Sequence, residues 1–235
     1  MENNFSRFFE DKNYIRAKNS LFNYKNRKKE ISGIWKKYFN EEKNKLEEDI
    51  RILDIGSGIS PVSPIPEKTI FGEISDTAVK IMKKQGYNAK KVSLLNVKEK
   101  KESFDWIFCS EVLEHIKDYK KAIKELNRIL KKEGKAVITV PVYMEYWDID
   151  DEFVGHYRRF EPTQIRKDFE NVGFKILEEK PIGSKIERKL TVLLVKIFKK
   201  EGLKKISDIK LGMIRLINYV LYLILIKDSY RRFWA

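Results

Sequence analysis

Five short apolar runs recur through the middle of this 235-residue chain: "IRILDIG" (50–56), "KTIFGEI" (68–74), "NAKKVSLL" (88–95), "FDWIFCS" (104–110) and "GKAVITVP" (134–141). No other feature constrains the fold as strongly. Runs of this length read as buried strands, and stretches of helical period separate them. In "SDTAVKIMKKQG" (75–86) Ser75 is the expected N-cap and Gly86 the stop. In "DYKKAIKELNRILKKEG" (118–134) Asp118 starts the helix, Ala122, Ile123, Leu126, Ile129 and Leu130 form its apolar stripe, and Gly134 is expected to stop it. Strands alternating with helices predict βαβ units and an α/β, doubly wound, mostly parallel sheet of Rossmann-like type.

The flanks extend this pattern. "ISGIWKKYFN" (31–40) sets Ile31, Ile34, Trp35, Tyr38 and Phe39 on one helical face, so one or two N-terminal helices are expected within residues 1–50. Core packing is the preferred role for Trp35 and Tyr38, with a lid over a ligand as the alternative. After the fifth run, "VYMEYWDIDDEFVGHYRRF" (142–160) reads as irregular, acidic and then basic, and rich in aromatics. "EPTQIRKDFENVG" (161–173) predicts a helix with Pro162 in its first turn and Gly173 just past its end. "FKILEEKPIG" (174–183) predicts a sixth strand, and "VLYLILI" (220–226) a seventh. The organisation expected is a helical lead-in over 1–50, a ligand-binding domain over 51–182 and a basic, apolar C-terminal region over 183–235.

Chemistry begins at the end of the first run. Asp54-Ile55-Gly56-Ser57-Gly58 brings two of the chain's 11 glycines together just after a strand. In a doubly wound sheet, ligands bind outside the carboxyl ends of the strands, and glycine lets them approach bare backbone. The pattern is not G-x-G-x-x-G, and the proline-rich "SPVSPIPEK" (60–68) after it predicts a short or distorted helix rather than a long one seating a pyrophosphate. Glu73 follows 19 residues after Asp54, at the end of the second run. An acid there can accept both hydroxyls of a ribose, although it can equally favour a helix N-terminus.

These two signals fit a dinucleotide or S-adenosyl-L-methionine. "FDWIFCSEVLEHI" (104–116) separates them. It resembles the fourth-strand motif of class I S-adenosylmethionine-dependent methyltransferases; "LDIGSG" is similar to their first motif and Glu73 to their second. "LKKEGKAVITVP" and "GHYRRFEPTQIRKDFENVGFKI" resemble the sections that follow in the small-molecule branch, which includes ubiquinone-type O-methyltransferases and enzymes acting on sugars or lipid-linked glycans. The resemblance spans about residues 51–180. It implies that Asp54, Gly56 and Gly58 border the methionine end of the cofactor, with Ser57 supplying loop backbone. It also implies that Glu73 holds the ribose, that Ile74 packs near the adenine, and that Ser110 and Glu111 line the cleft. Two positions depart from the pattern. Ser60 stands where the third glycine would be, and "KVSLLN" offers Ser93 or Asn96 near the adenine instead of a carboxylate.

A methyl donor of this kind is already activated, so positioning carries most of the rate, and a hydroxyl acceptor also needs a base. The chain holds two histidines, His115 and His156. His156, in the segment expected to overhang the acceptor, is the preferred base; His115 is the second catalytic candidate, or else caps the short helix "EVLEHI" (111–116) and faces the cleft wall. Tyr143 and Tyr146 are candidate acceptor-pocket residues. Arg158 and Arg159 either clamp an acceptor's phosphate or carboxylate or pair with Asp148, Asp150, Asp151 and Glu152. No spacing among those acids enforces a metal site, and none is expected. Cys109, the single cysteine, reads as a small buried hydrophobe.

The charge narrows the partners. Of the net +14, +9 lies in residues 183–235. The apolar stretches "RKLTVLLVKIFKK" (188–200) and "LGMIRLINYVLYLILIK" (211–227) are too short or interrupted to span a bilayer comfortably. The region fits either an amphipathic contact with an anionic membrane surface or, as preferred, packing on its own sheet. The polar N-terminal stretch lacks a signal-peptide core, so a cytoplasmic protein is expected, membrane-peripheral only if the tail meets lipid rather than its own sheet. Two rival functions stay in view: an RNA methyltransferase, and a non-catalytic, membrane-associated nucleoside-binding protein. Nucleic acid is disfavoured because "SEVL" (110–113), not an "NPPY"-type sequence, follows the fourth strand. The preferred reading is methyl transfer to oxygen of a small-molecule or lipid-linked acceptor.

Overall fold

Strand β1 (Ile52–Ile55) is buried at all four positions, and its neighbours explain why. It lies in the middle of a parallel sheet, between β2 (Thr69–Glu73) and β4 (Phe104–Ser110). β3 (Ala89–Lys91) flanks β2 and β5 (Leu130–Thr139) flanks β4, giving the order β3-β2-β1-β4-β5. The computed structural model describes residues 22–40, 50–183 and, in helix, 188–189, 191–193 and 195–196.

Alternation along the strands sends apolar side chains to both faces. Ile52, Trp106 and Phe108 point to one side, where α1 (Phe22–Asn40) covers them with Ile31 and Trp35. Trp35 stacks on Phe39 at 4.4 Å and meets Trp106 edge-on at 4.6 Å, so the core-packing role holds. Leu53, Ile55, Ile107 and Cys109 point to the other side, against the Ile123, Leu126 and Ile129 stripe of α3 (Tyr119–Ile129) and against Ile165 and Phe169 of α5 (Pro162–Glu170). Cys109 is fully buried, and burial raises its thiol pKa well above the usual range. Helix α2 (Asp76–Lys84) packs Val79 and Met82 on Phe71. Ser75 and Asp118 cap α2 and α3 as expected, each accepting a backbone N–H.

Three expectations need correction. Gly134 does not stop α3: the helix ends at Ile129 and the chain turns straight into β5. The register slips between Phe104 and Trp106, and a Cβ at Gly134 would lie 3.0 Å from the Asp105 carbonyl, so the glycine serves close strand approach. Residues 142–160 are not wholly irregular, since they contain a 3-10 turn (Met144–Tyr146) and helix α4 (Ile149–Val154). Residues 174–183 form no strand. Phe174 and Ile176 pack into the core while Glu178 and Glu179 face outward to Lys37 and Arg166. The alternating pattern is real, but no strand among the described residues offers this segment a ladder, so the sheet described has five strands rather than seven. The seventh strand expected at 220–226 lies outside the described residues. No helix among the described residues is long and apolar enough to cross a membrane.

Candidate active site at the β1–β4 switch

β1 has its sequence successor on one side and β4 on the other, so the strand order reverses there and a crevice opens at the carboxyl ends. Gly56 and Gly58 turn the chain away from β1 with φ of +73° and +58°. A Cβ at Gly56 would sit 2.4 Å from the Val112 side chain, so only glycine fits between the two strand tips. Asp54 is buried beneath this bend, and its Oδ2 accepts the N–H groups of Val62 and Ser63 at 2.8 and 2.9 Å. That grip folds the proline-rich segment over the crevice, where only a 3-10 turn (Pro66–Lys68) replaces the helix. Burial raises the Asp54 pKa to about 6, partly offset by those two backbone bonds. Glu73 Oε2 accepts from Gly58 N at 2.8 Å, while Oε1 accepts from Ile74 N and Ser75 N at 2.8 and 3.0 Å.

Asp54, Gly56, Ser57, Gly58, Glu73 and Ile74 are therefore brought together. Ser93 lies in the turn after β3, where its Oγ accepts from Leu95 N at 3.3 Å. Ser110 and Glu111 share Thr139: the Thr139 hydroxyl donates to Glu111 Oε1 at 2.9 Å, which leaves Ser110 Oγ to donate to Thr139 at 2.9 Å. Glu111 adopts φ +56°, an unusual conformation for a non-glycine residue. Its Oε2 pairs with Arg27 of α1 at 3.0 Å, and Tyr24 of the same helix reaches the Pro61 carbonyl at 3.4 Å. The first turns of α1 thus roof the crevice, touching both strand tips. Neither residue was singled out in the sequence.

The segment that carries His156 is assembled by local capping. Asp148 and Asp151 form a reciprocal capping box at the start of α4, and Gly155 ends the helix at φ +76°. This returns the chain so that His156 Nδ1 lies 2.7 Å from Asp151 Oδ1. Burial works to raise the Asp151 pKa, but hydrogen bonds from His156, Arg159 and the Asp148 backbone overcome it and lower the pKa. The ionised carboxylate only accepts, so Nδ1 carries a hydrogen and Nε2 is the ring nitrogen left for other partners. Nε2 faces Glu114 Oε1 at 3.7 Å, and the His156 and His115 rings meet edge-on with centroids 4.5 Å apart. Glu114 stands on the 3-10 turn after β4 (Leu113–His115); its carboxyl is fully buried and neither oxygen accepts or donates a hydrogen bond. Burial, reinforced by the charge of Glu111, pushes its pKa well above the usual carboxylate range. Glu114 was passed over in the sequence; the available signal was an acid inside "EVLEHI", immediately after a buried strand.

The expected acceptor residues divide. Tyr143 is exposed and strained at φ +63°, with the Tyr146 ring 6.0 Å away. Arg158 and Arg159 are both engaged by the protein itself. Arg158 donates to the carbonyls of Ile116 and Lys117, and Arg159 Nε pairs with Asp151 Oδ2 at 2.9 Å. The pairing alternative therefore applies to Arg159, while Arg158 bonds to main chain. Arg188, from the helical residues of the tail, bonds to the Tyr146 carbonyl at 2.7 Å and pairs with Asp150.

With this geometry in view, comparison with known proteins decides the family. A family described as "Methyltransferase domain" matches residues 25–179, two-thirds of the chain. The chain belongs to that family. An uncharacterized protein of Methanocaldococcus jannaschii, MJ0638, is 32% identical over 152 residues, covering 63% of this chain and 62% of that protein. The uncharacterized methyltransferase YcgJ of Bacillus subtilis is 36% identical over 67 residues, 28% of this chain and 26% of its own length. The chain therefore spans less than two-thirds of both relatives. An S-adenosylmethionine-dependent methyltransferase of Thermotoga maritima superposes with a TM-score of 0.57 at 22% identity, over 77% of this chain and 91% of that one, which establishes the shared fold. The five-stranded sheet and its crevice are thus those of the class I S-adenosylmethionine-dependent methyltransferases.

Proposed function

We propose that the protein transfers a methyl group from S-adenosylmethionine to an oxygen of a small or lipid-linked acceptor. The observation that carries this reading is the pairing, across one crevice, of a bare glycine bend with two adjoining imidazoles. The residues fit the cofactor. Gly56 and Gly58 hold a bend of positive φ that presents main chain, and Glu73 keeps one lone-pair site, on Oε2, for a ribose hydroxyl beside its three backbone bonds. Ile74 and Ser93 stand on the adenine side, and Ser110 and Glu111 close the methionine side. When bound, the cofactor supplies a methyl group on a cationic sulfur.

The chain supplies alignment, dryness and a place for a proton. Helix α1 excludes water through Tyr24 and Arg27. In the metal-free protein, His156 Nε2 takes the proton of the acceptor hydroxyl, with Asp151 holding the ring in the required tautomer. Tyr143 and Tyr146 contact the acceptor. Beyond Tyr146 lies an open groove of about 400 Å³ lined by Asp148, Arg188, Lys189, Val192, Leu193 and Lys196. Cations beside aliphatic side chains suit an acceptor with an anionic head and an apolar chain, and the basic region 183–235 would bring the protein to an anionic lipid surface.

Calorimetric titration with S-adenosylmethionine tests the core of this reading. Saturable heat is expected, and Glu73→Gln should weaken binding about 10–100-fold by removing a charged acceptor. Absence of heat, with no protection against thermal unfolding, would overturn it. Labelled methyl transfer into fractionated lipid, RNA, protein and soluble extracts identifies the acceptor class.

A further inference from the structure

We propose that Glu114, His115 and His156 bind a divalent cation of zinc-like preference beside the acceptor oxygen. The donor atoms of these three residues all lie within 4.8 Å of one another. Ligands about 2.0–2.2 Å from a common ion are about 3–4 Å apart, and the 3.7 Å between Glu114 Oε1 and His156 Nε2 falls in that range. Glu114 supplies an independent indication. It is fully buried and aimed at the imidazoles, yet neither carboxyl oxygen has a hydrogen-bond partner. Such a group is costly to bury unless something else engages it. Asp151 supplies another. It bonds to Nδ1 of His156 and leaves Nε2 pointing at the gap, the carboxylate–histidine arrangement that orients metal-bound imidazoles.

The sequence raised metal binding only for the acids at 148–152. Asp148, Asp150 and Asp151 have other tasks, in the α4 capping box and in pairs with Arg159 and Arg188. Two imidazoles and one carboxylate favour zinc and neighbouring transition ions over magnesium or calcium. Three protein ligands leave a coordination position open.

What the ion does there rests on the methyl-transfer reading; whether it binds does not. An acceptor hydroxyl in the open position becomes more acidic and gives its proton to solvent. Its oxygen then forms the C–O bond as the C–S bond breaks, with the electron pair left on sulfur. His156 is a ligand in this state rather than the base.

The test uses full-length protein stripped with EDTA and titrated with Co²⁺, without S-adenosylmethionine. One Co²⁺ per chain is expected, with visible ligand-field bands that Zn²⁺ displaces. Glu114→Gln, His115→Ala and His156→Ala should each abolish the bands and weaken binding at least 100-fold. Asp151→Asn, which removes only the positioning bond, should weaken it about 10-fold. Circular dichroism checks that the variants fold. If they do not, Co²⁺-shifted proton resonances of both histidine rings in the unsubstituted protein carry the test. Failure of Co²⁺ to saturate a site, or binding unaltered by all three substitutions, overturns the proposal. Calorimetry of stripped protein with S-adenosylmethionine runs in parallel. Heat there with no Co²⁺ site removes the cation alone, whereas a Co²⁺ site without heat removes the methyl-donor reading alone.

Discussion

On the β1–β2 side of the crevice, Glu73 accepts three backbone N–H groups and Asp54 accepts two. On the β4 side, Glu114 accepts none, although it is more deeply buried than either. The first pair of acids acts inside the protein, fixing a glycine bend and a proline-rich flap so that backbone lies open to a ligand. The third contributes nothing to folding that the structure reveals. A buried acid without a partner costs stability, and such a cost persists at sites where function requires the group. The difference separates acids tied into the backbone from a buried acid that stands free beside two imidazoles.

The comparison breaks most visibly at Gly56. Alanine there meets both the +73° φ and the 2.4 Å approach to Val112, so a loss of about 2–4 kcal/mol in urea unfolding is expected, with S-adenosylmethionine binding abolished. Binding retained at wild-type affinity would show that the bend does not cradle the cofactor.

The next effect concerns acid. Asp54 has a folded pKa of about 6 against an ordinary 3.8, so between those values the folded protein holds a proton that the unfolded chain has released. Its contribution therefore favours folding below pH about 4 and falls by about 3 kcal/mol as pH rises through 6. Asp54→Asn should remove that slope, as melts at pH 4, 5, 6 and 7 would show; an unchanged slope would assign it to another group.

The smallest effect has the opposite sign. Glu114→Met in EDTA-treated protein replaces an unpartnered acid with an apolar side chain, and should stabilise it by about 1–2 kcal/mol in urea unfolding. Destabilisation would place Glu114 with the structural acids and erase the contrast.

The β1–β2 side was legible in the sequence because its parts are local. Gly56 and Gly58 adjoin β1, Glu73 ends β2, and strand order follows from alternating runs and helices. The β4 side was half legible. His115 and His156 stood out by rarity and position, but Glu114 did not, because its burial depends on packing that no local pattern reports. The partners of Arg158 were illegible for a related reason: the Ile116 and Lys117 carbonyls that engage it are more than 40 residues away. The sixth strand failed because a period of two records which side chains are apolar and says nothing about whether a neighbour offers hydrogen bonds.

By itself the sequence determined the parallel sheet, the glycine bend after its central strand and the two histidines as candidate site residues. Periodicity and glycine act over a few residues, so they survive in a linear reading. Tertiary structure alone decided that Arg27 reaches Glu111, that Asp151 orients His156, and that Glu114 faces both imidazoles without a partner. Those relations join segments from distant parts of the chain, and only packing around the common core brings their polar atoms within a few ångströms of one another.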